Sequence, residues 1–217
     1  RFDMAGVGDS ELVEGGLLYV ERTRADVVAS MDALSERVDS RRFLLMGLCT
    51  GAYNAFRAAL IDDRVVGCIL LDGYSYPSIR SQIEHYRKRV FQLKRWVDFT
   101  KRKLGIDTPS GSAVQGDLVV FENEVVSKER FAGELQSLID RNVRLLLVYT
   151  GLGPLSFTYR RQLHDAFPKI ALDDVATVHF YPAADHTFTL PGHRQRLLDD
   201  LDTWLADEFE SETAARG

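Results

Sequence analysis

Three side chains that together can perform acyl transfer stand at distinct places in this chain. The first is a thiol: Cys49 is the centre of Gly47-Leu48-Cys49-Thr50-Gly51. The apolar run Phe43–Met46 before it reads as a buried strand, and Ala52–Leu60 after it reads as a helix. A strand, a Gly-x-nucleophile-x-Gly turn and a helix hold the central side chain at the tip of a sheet, beside the positive end of the helix. The turn puts that residue in strained backbone, and the flanking glycines let strand and helix approach. Thiolates attack acyl carbon well. The N–H of Thr50, the residue after the nucleophile, is then one oxyanion donor. The competing reading is a structural cysteine in a tight turn.

The second side chain is His186, in Pro182-Ala183-Ala184-Asp185-His186-Thr187-Phe188, after the last apolar strand and before the last helix. Loops at the carboxyl ends of parallel strands share one rim of a sheet, so His186 and Cys49 are expected on the same edge. His85 and His164 fall in helical patterns, His179 in a strand and His193 at a helix start. His186 is the expected base, against the alternative of a solvated loop histidine. The third is Asp72, at the end of Leu70-Leu71-Asp72-Gly73, one strand over from Cys49. It is the best candidate for an acid that orients the imidazole; the alternative is an Asp that caps the turn before Gly73. The later loop Thr150–Phe157 holds no carboxylate. Asp185 adjoins His186 and is expected to shape the loop. A thiol needs the acid less than a hydroxyl does, so a Cys–His dyad remains open.

The elements that must position these groups follow from periodicity. Phe43–Met46, Val65–Leu71, Arg144–Tyr149 and Ala176–Tyr181 are largely apolar, as strands covered on both faces are. Residues 23–38, Ala52–Leu60, Tyr159–Phe167 and Arg194–Phe209 read as helices between or beside them. This is an α/β protein with a mostly parallel sheet and helices on both faces. Residues 1–73 and 143–217 form the expected core. Residues 74–142 are too long for a simple crossover and read as a helical cap inserted after the strand that follows the nucleophile. In the cap, Ile79, Ile83, Tyr86, Val90, Leu93 and Val97 step at helical spacing, and a polar stretch, Gly105–Asp117, follows. Residues 80–103 carry nine Lys/Arg against Glu84 and Asp98, in a chain whose net charge is −5. That basic helix has three readings: a solvated face, a docking face for an acidic protein such as an acyl carrier, or a face for anionic lipid.

The chain has 217 residues, 45% hydrophobic and 27% charged, the composition of one globular domain. No apolar run approaches the roughly 18 residues of a membrane span. Two cysteines make no disulfide framework; Cys68, inside an apolar strand, reads as a buried inert thiol, and a reducing cytoplasm is expected. An acidic chain with no recognition module is not expected to bind nucleic acid. No metal-spaced cluster and no cofactor motif is visible; Gly6-x-Gly8-Asp9-Ser10 reads as a structural turn and completes no phosphate-binding pattern.

These residues resemble the α/β-hydrolase superfamily. The likeness is carried by Arg1-x-Asp3-x-x-Gly6-x-Gly8-Asp9-Ser10, by Gly47-Leu-Cys-Thr-Gly-Ala52, and by Asp185-His-Thr-Phe188. The turn wording is similar to bacterial members related to exosortase-associated hydrolases. A cysteine nucleophile is shared with dienelactone hydrolases, whose acid would follow the third strand here. Asp72 followed by an insertion resembles thioesterase domains of peptide and polyketide synthesis, which place the acid there and then insert a helical lid. The resemblance implies a small-molecule acyl substrate, free or bound to a carrier protein, and hydrolysis or transfer of its acyl group. It also implies several strands before the Arg1–Ser10 stretch, with the second oxyanion donor among them. The expectation is therefore an N-terminal portion, as upstream sequence or as a second chain, that completes the sheet. The alternative function is a non-catalytic relative that docks a partner through the basic cap helix; a peptidase is a third, and nothing in the chain reads a peptide terminus.

Overall fold

A computed structural model describes residues 4–5, 9–10, 19–81, 83, 126–153 and 157–210. Four strands, β1 (Phe43–Leu48), β2 (Val65–Leu71), β3 (Arg144–Thr150) and β4 (Ala176–Tyr181), form one sheet in the order β1-β2-β3-β4, and every pair is parallel. Helix α1 (Tyr19–Val38) precedes β1, α2 (Thr50–Ile61) joins β1 to β2, and α3 (Lys128–Asp140) leads into β3. A short α4 (Gln162–Ala166) lies between β3 and β4, and α5 (Pro191–Leu205) follows β4, ending in one π-helical turn.

The period-2 alternation of strand side chains divides the core into two layers. Cys68, Leu70, Leu145, Leu147 and Tyr149 face α1 to α4, whereas Ile69, Leu71, Leu146 and Val148 face α5 through Leu197, Leu201 and Trp204. When strands advance in one direction across a sheet, crossovers of one hand fall on one face. α2, α3 and α4 do so, and among the described helices only the one after the last strand reaches the other face. The chain is thus the expected α/β protein, with a parallel sheet flanked by helices.

Four elements differ from the sequence reading. Helix α3 lies inside the 74–142 range, yet it packs Phe131, Leu135 and Leu138 into the core. Its N-cap Ser127 accepts from the N–H of Arg130, and apolar residues at i, i+4 and i+7 face the sheet. The helix expected over Tyr159–Phe167 shrinks to α4, because the Gln162 side chain accepts from the N–H and hydroxyl of Thr158 and holds the preceding residues in a turn. Strands β1 and β3 run on to Leu48 and Thr150, which carries the sheet right up to Cys49. Residues 79–81 begin a helix, as expected. The rest of the basic stretch, the Gly105–Asp117 linker and Gly6 to Gly8 lie outside the described residues.

Two consequences bear on the site. All four strands end on one rim, at Leu48, Leu71, Thr150 and Tyr181. Among the described residues no strand pairs with the outer edge of β1, where Met46 and Leu48 are 56% and 38% exposed.

Candidate active site

Cys49 sits directly after β1 with φ 56 and ψ −116, backbone angles that non-glycine residues rarely adopt. Gly47 makes the turn possible: a Cβ there would lie 2.1 Å from the Gly51 backbone and 2.5 Å from the Ala52 nitrogen. Gly51 differs, since a Cβ on it would meet nothing within 4 Å. Packing therefore demands the first glycine and not the second, a correction to the expectation that both serve the close approach. The Cys49 N–H donates to the Leu71 carbonyl (2.8 Å), and the Cys49 carbonyl accepts from Ala52 and Tyr53. These bonds pin the turn to β2 and start α2. The N–H of Thr50 occupies the first position of that helix and donates to no described protein group.

Asp72 follows β2 directly, also at positive φ (45), and is only 1% exposed. Its backbone N–H bonds Val148 on β3 (2.8 Å), which turns the side chain along the rim. Oδ1 accepts from the N–H of Thr150 at 2.8 Å, Oδ2 accepts from the Thr150 hydroxyl at 2.5 Å, and Oδ2 also meets His186 Nδ1 at 2.7 Å. Asp72 thus pairs with groups far along the chain rather than capping its own turn. With Nδ1 engaged, Nε2 is the ring nitrogen available to a reacting group. Among the described residues Cys49 Sγ and His186 Nε2 make no hydrogen bond to each other or elsewhere. Such contacts often close only when substrate is bound.

The His186 loop is built by its neighbours. The Asp185 carboxylate accepts from the N–H and hydroxyl of Thr189 (3.0 and 2.8 Å) and from the Thr187 hydroxyl (3.0 Å). The Thr189 hydroxyl above all holds the Asp185 pKa down to about 2. Phe188, at φ 51, is buried and packs its ring on Tyr181 (5.3 Å), whose hydroxyl donates to Asp200 on α5. Asp185 shapes the loop from outside and Phe188 anchors it from inside, leaving His186 part-exposed between them.

Of the remaining described histidines, His164 pairs with Asp173 and His179 with Asp200, and His193 lies in the first turn of α5. Cys68 is fully buried, and that burial pushes its thiol up to about 12. Tyr53, one turn into α2, donates to the Gly73 carbonyl at 3.3 Å and ties the nucleophile helix to the Asp72 turn. Burial first, then the nearby Cys49 sulfur, raise its pKa. Among the described residues no group of three or more His, Cys, Asp or Glu could hold a metal ion, and no helix is long and apolar enough to cross a membrane.

Sequence reasoning missed two residues. Thr150 makes two hydrogen bonds to Asp72. Gly153 leaves room for them, because a Cβ there would lie 2.3 Å from Thr150 Oγ1 and 2.8 Å from Asp72 Oδ2. The available signal was the Thr-Gly-x-Gly run that ends β3, where the loop holds no carboxylate. No protein-family model matches the chain, and no curated protein matches it.

Proposed function

We propose that this chain is a cysteine-dependent acyl hydrolase or acyltransferase of thioesterase-like type, within the α/β-hydrolase superfamily. The observation that carries the reading is a cysteine in strained backbone at the sheet rim, one strand from a buried carboxylate that binds a histidine through Nδ1.

In this reading Cys49 Sγ attacks the carbonyl carbon of an ester or thioester, and His186 Nε2 takes the thiol proton. The carbonyl π pair moves onto oxygen, and the N–H of Thr50 stabilises that oxyanion, a contribution of about 3 kcal/mol per donor. The intermediate collapses, the C–O or C–S bond to the leaving group breaks, and His186 returns the proton to the departing alcohol or thiol. Water, or an acceptor alcohol or amine, then attacks the acyl-cysteine with His186 again as base, and the thiol is regenerated. Asp72 orients the imidazole throughout.

The substrate is a small-molecule acyl ester or thioester, free or on a carrier protein. The nine Lys/Arg of residues 80–103 supply the charge that an acidic carrier would meet. The outer edge of β1, which pairs with no strand among the described residues, would take a further strand from an N-terminal segment or a second chain. That addition would bring the second oxyanion donor. A free thiol nucleophile suits a reducing compartment such as the cytoplasm.

Incubation of the protein with thioesters of graded chain length, followed by intact-mass measurement and peptide mapping, tests the reading. An acyl adduct on Cys49 that turns over supports it. A protein that binds partners and never acylates would be the non-catalytic relative instead.

A further inference from the structure

Thr150 holds the acid of this site from a strand to which the sequence assigns no catalytic part. We infer that Thr150 is a positioning residue for the acyl-transfer reaction, fixing the Asp72 carboxylate so that His186 presents Nε2 to the thiol; this rests on the function proposed above.

A carboxylate on a strand end can rotate about two side-chain bonds, and its two oxygens are equivalent until something distinguishes them. Here Thr150 does so with two donors from one residue. Its N–H takes Oδ1 at 2.8 Å and its hydroxyl takes Oδ2 at 2.5 Å. The two bonds fix both the plane of the carboxylate and its place along the rim. The same Oδ2 then receives His186 Nδ1 at 2.7 Å. The direction of that last bond sets the imidazole plane, so the aim of Nε2 depends on the Thr150 hydroxyl.

Three features make this a built arrangement. Asp72 and Thr150 are each 1% exposed, so water does not compete for the oxygens. The residue on β3 is β-branched, and its χ1 is stiff, which holds the hydroxyl in one direction. Gly153 closes over the pair with no space for even a methyl group. A hydroxyl suits the place because the carboxylate already carries the charge. A second acid there would repel it, and an apolar side chain would leave Oδ2 with His186 as its sole side-chain donor.

Three variants separate positioning from simple burial of a polar group. Thr150→Val keeps shape and N–H and loses the hydroxyl; Thr150→Ser keeps the hydroxyl and loses the methyl. Gly153→Ala presses on the pair from outside. With the thioester that acylates the wild type fastest, Val is expected to lower kcat about 10- to 100-fold with KM within about twofold, the range for losing a charge-assisted hydrogen bond. Ser is expected to recover most of that rate, and Gly153→Ala to behave like Val. A second readout needs no turnover: the downfield proton resonance of His186 Nδ1–H, identified by its loss in Asp72→Asn. It should persist in Ser and broaden or vanish in Val and in Gly153→Ala, in whichever of these variants fold. A Val variant with wild-type kcat and an intact resonance overturns the inference, as does a Ser variant impaired as much as Val. If the wild type acylates with no substrate, the proposed function fails, and the resonance alone decides whether Thr150 positions the Asp72–His186 pair. If Val does not fold, Gly153→Ala against wild type decides the same question.

Discussion

Asp72 Oδ2 and His186 Nδ1 lie 2.7 Å apart although 114 residues separate them in the chain. The contact exists because β2 and β4 both end on the rim where β1 delivers Cys49. It gives the Asp72 carboxylate a partner that its place before Gly73 does not require.

Replacing Asp72 with Asn should keep the fold and lower turnover. An amide fills the same space and keeps an oxygen for one Thr150 donor, but its NH2 group repels the imidazole N–H or turns the ring to the wrong tautomer. A serine enzyme loses about 10⁴-fold from such a change. A thiol depends less on the acid, so a loss of about 10- to 1,000-fold in kcat is expected here. Steady-state kinetics beside a circular-dichroism melt would check this, and wild-type turnover in a folded variant rejects Asp72 as the acid.

The two glycines of the Cys49 turn should behave in opposite ways. Gly47→Ala forces a Cβ to 2.1 Å from the Gly51 backbone, and neither partner can give without breaking the strand–helix junction. A loss of about 3 kcal/mol or more, or failure to fold, is expected. Gly51→Ala meets open space inside α2 and should be neutral or stabilising by up to about 1 kcal/mol. Urea melts of the two variants measure this directly, and equal destabilisation would contradict the assigned packing.

Asp185 gives the His186 loop a pH dependence at the acid end. Its folded-state pKa, about 2, lies below its ordinary value near 3.9. A group lowered on folding favours the folded loop above its unfolded pKa, and that preference is lost as pH falls through the folded value. The Thr189 N–H should therefore exchange faster with solvent as pH drops from about 4 to about 2, beyond the intrinsic trend. At neutral pH, Asp185→Ala should lower kcat with little change in melting temperature, because the carboxylate is on the surface. Unchanged Thr189 protection across that range would show that the bonds do not hold the loop.

Much of the fold is legible in the sequence because it rests on local patterns. Four apolar runs with helical intervals dictate a parallel sheet, and Gly47-x-Cys49 before a helix dictates the turn. Asp72 and His186 can be placed on one rim from topology alone. Helix α3 carries a readable capping serine and apolar spacing, and is hidden only by the length of the 74–142 range, which reads as a single cap. Thr150 and Gly153 are not legible in this way. Their role depends on the register of β3 against β2, which puts the Thr150 hydroxyl beside a carboxylate 78 residues away. No period along one strand encodes that.

The most direct test is the mass and position of an adduct formed on the native protein. After brief exposure to an acyl thioester at neutral pH, a single acyl group should map to Cys49, decay on further incubation and be absent from Cys49→Ala. Cys68, with its thiol pushed up to about 12 by burial, should remain unmodified. An alkylating probe should likewise label Cys49 well before Cys68. Absence of any acyl-Cys49 across the thioester series, or labelling of Cys49 no faster than Cys68, would contradict the assignment of Cys49 as nucleophile.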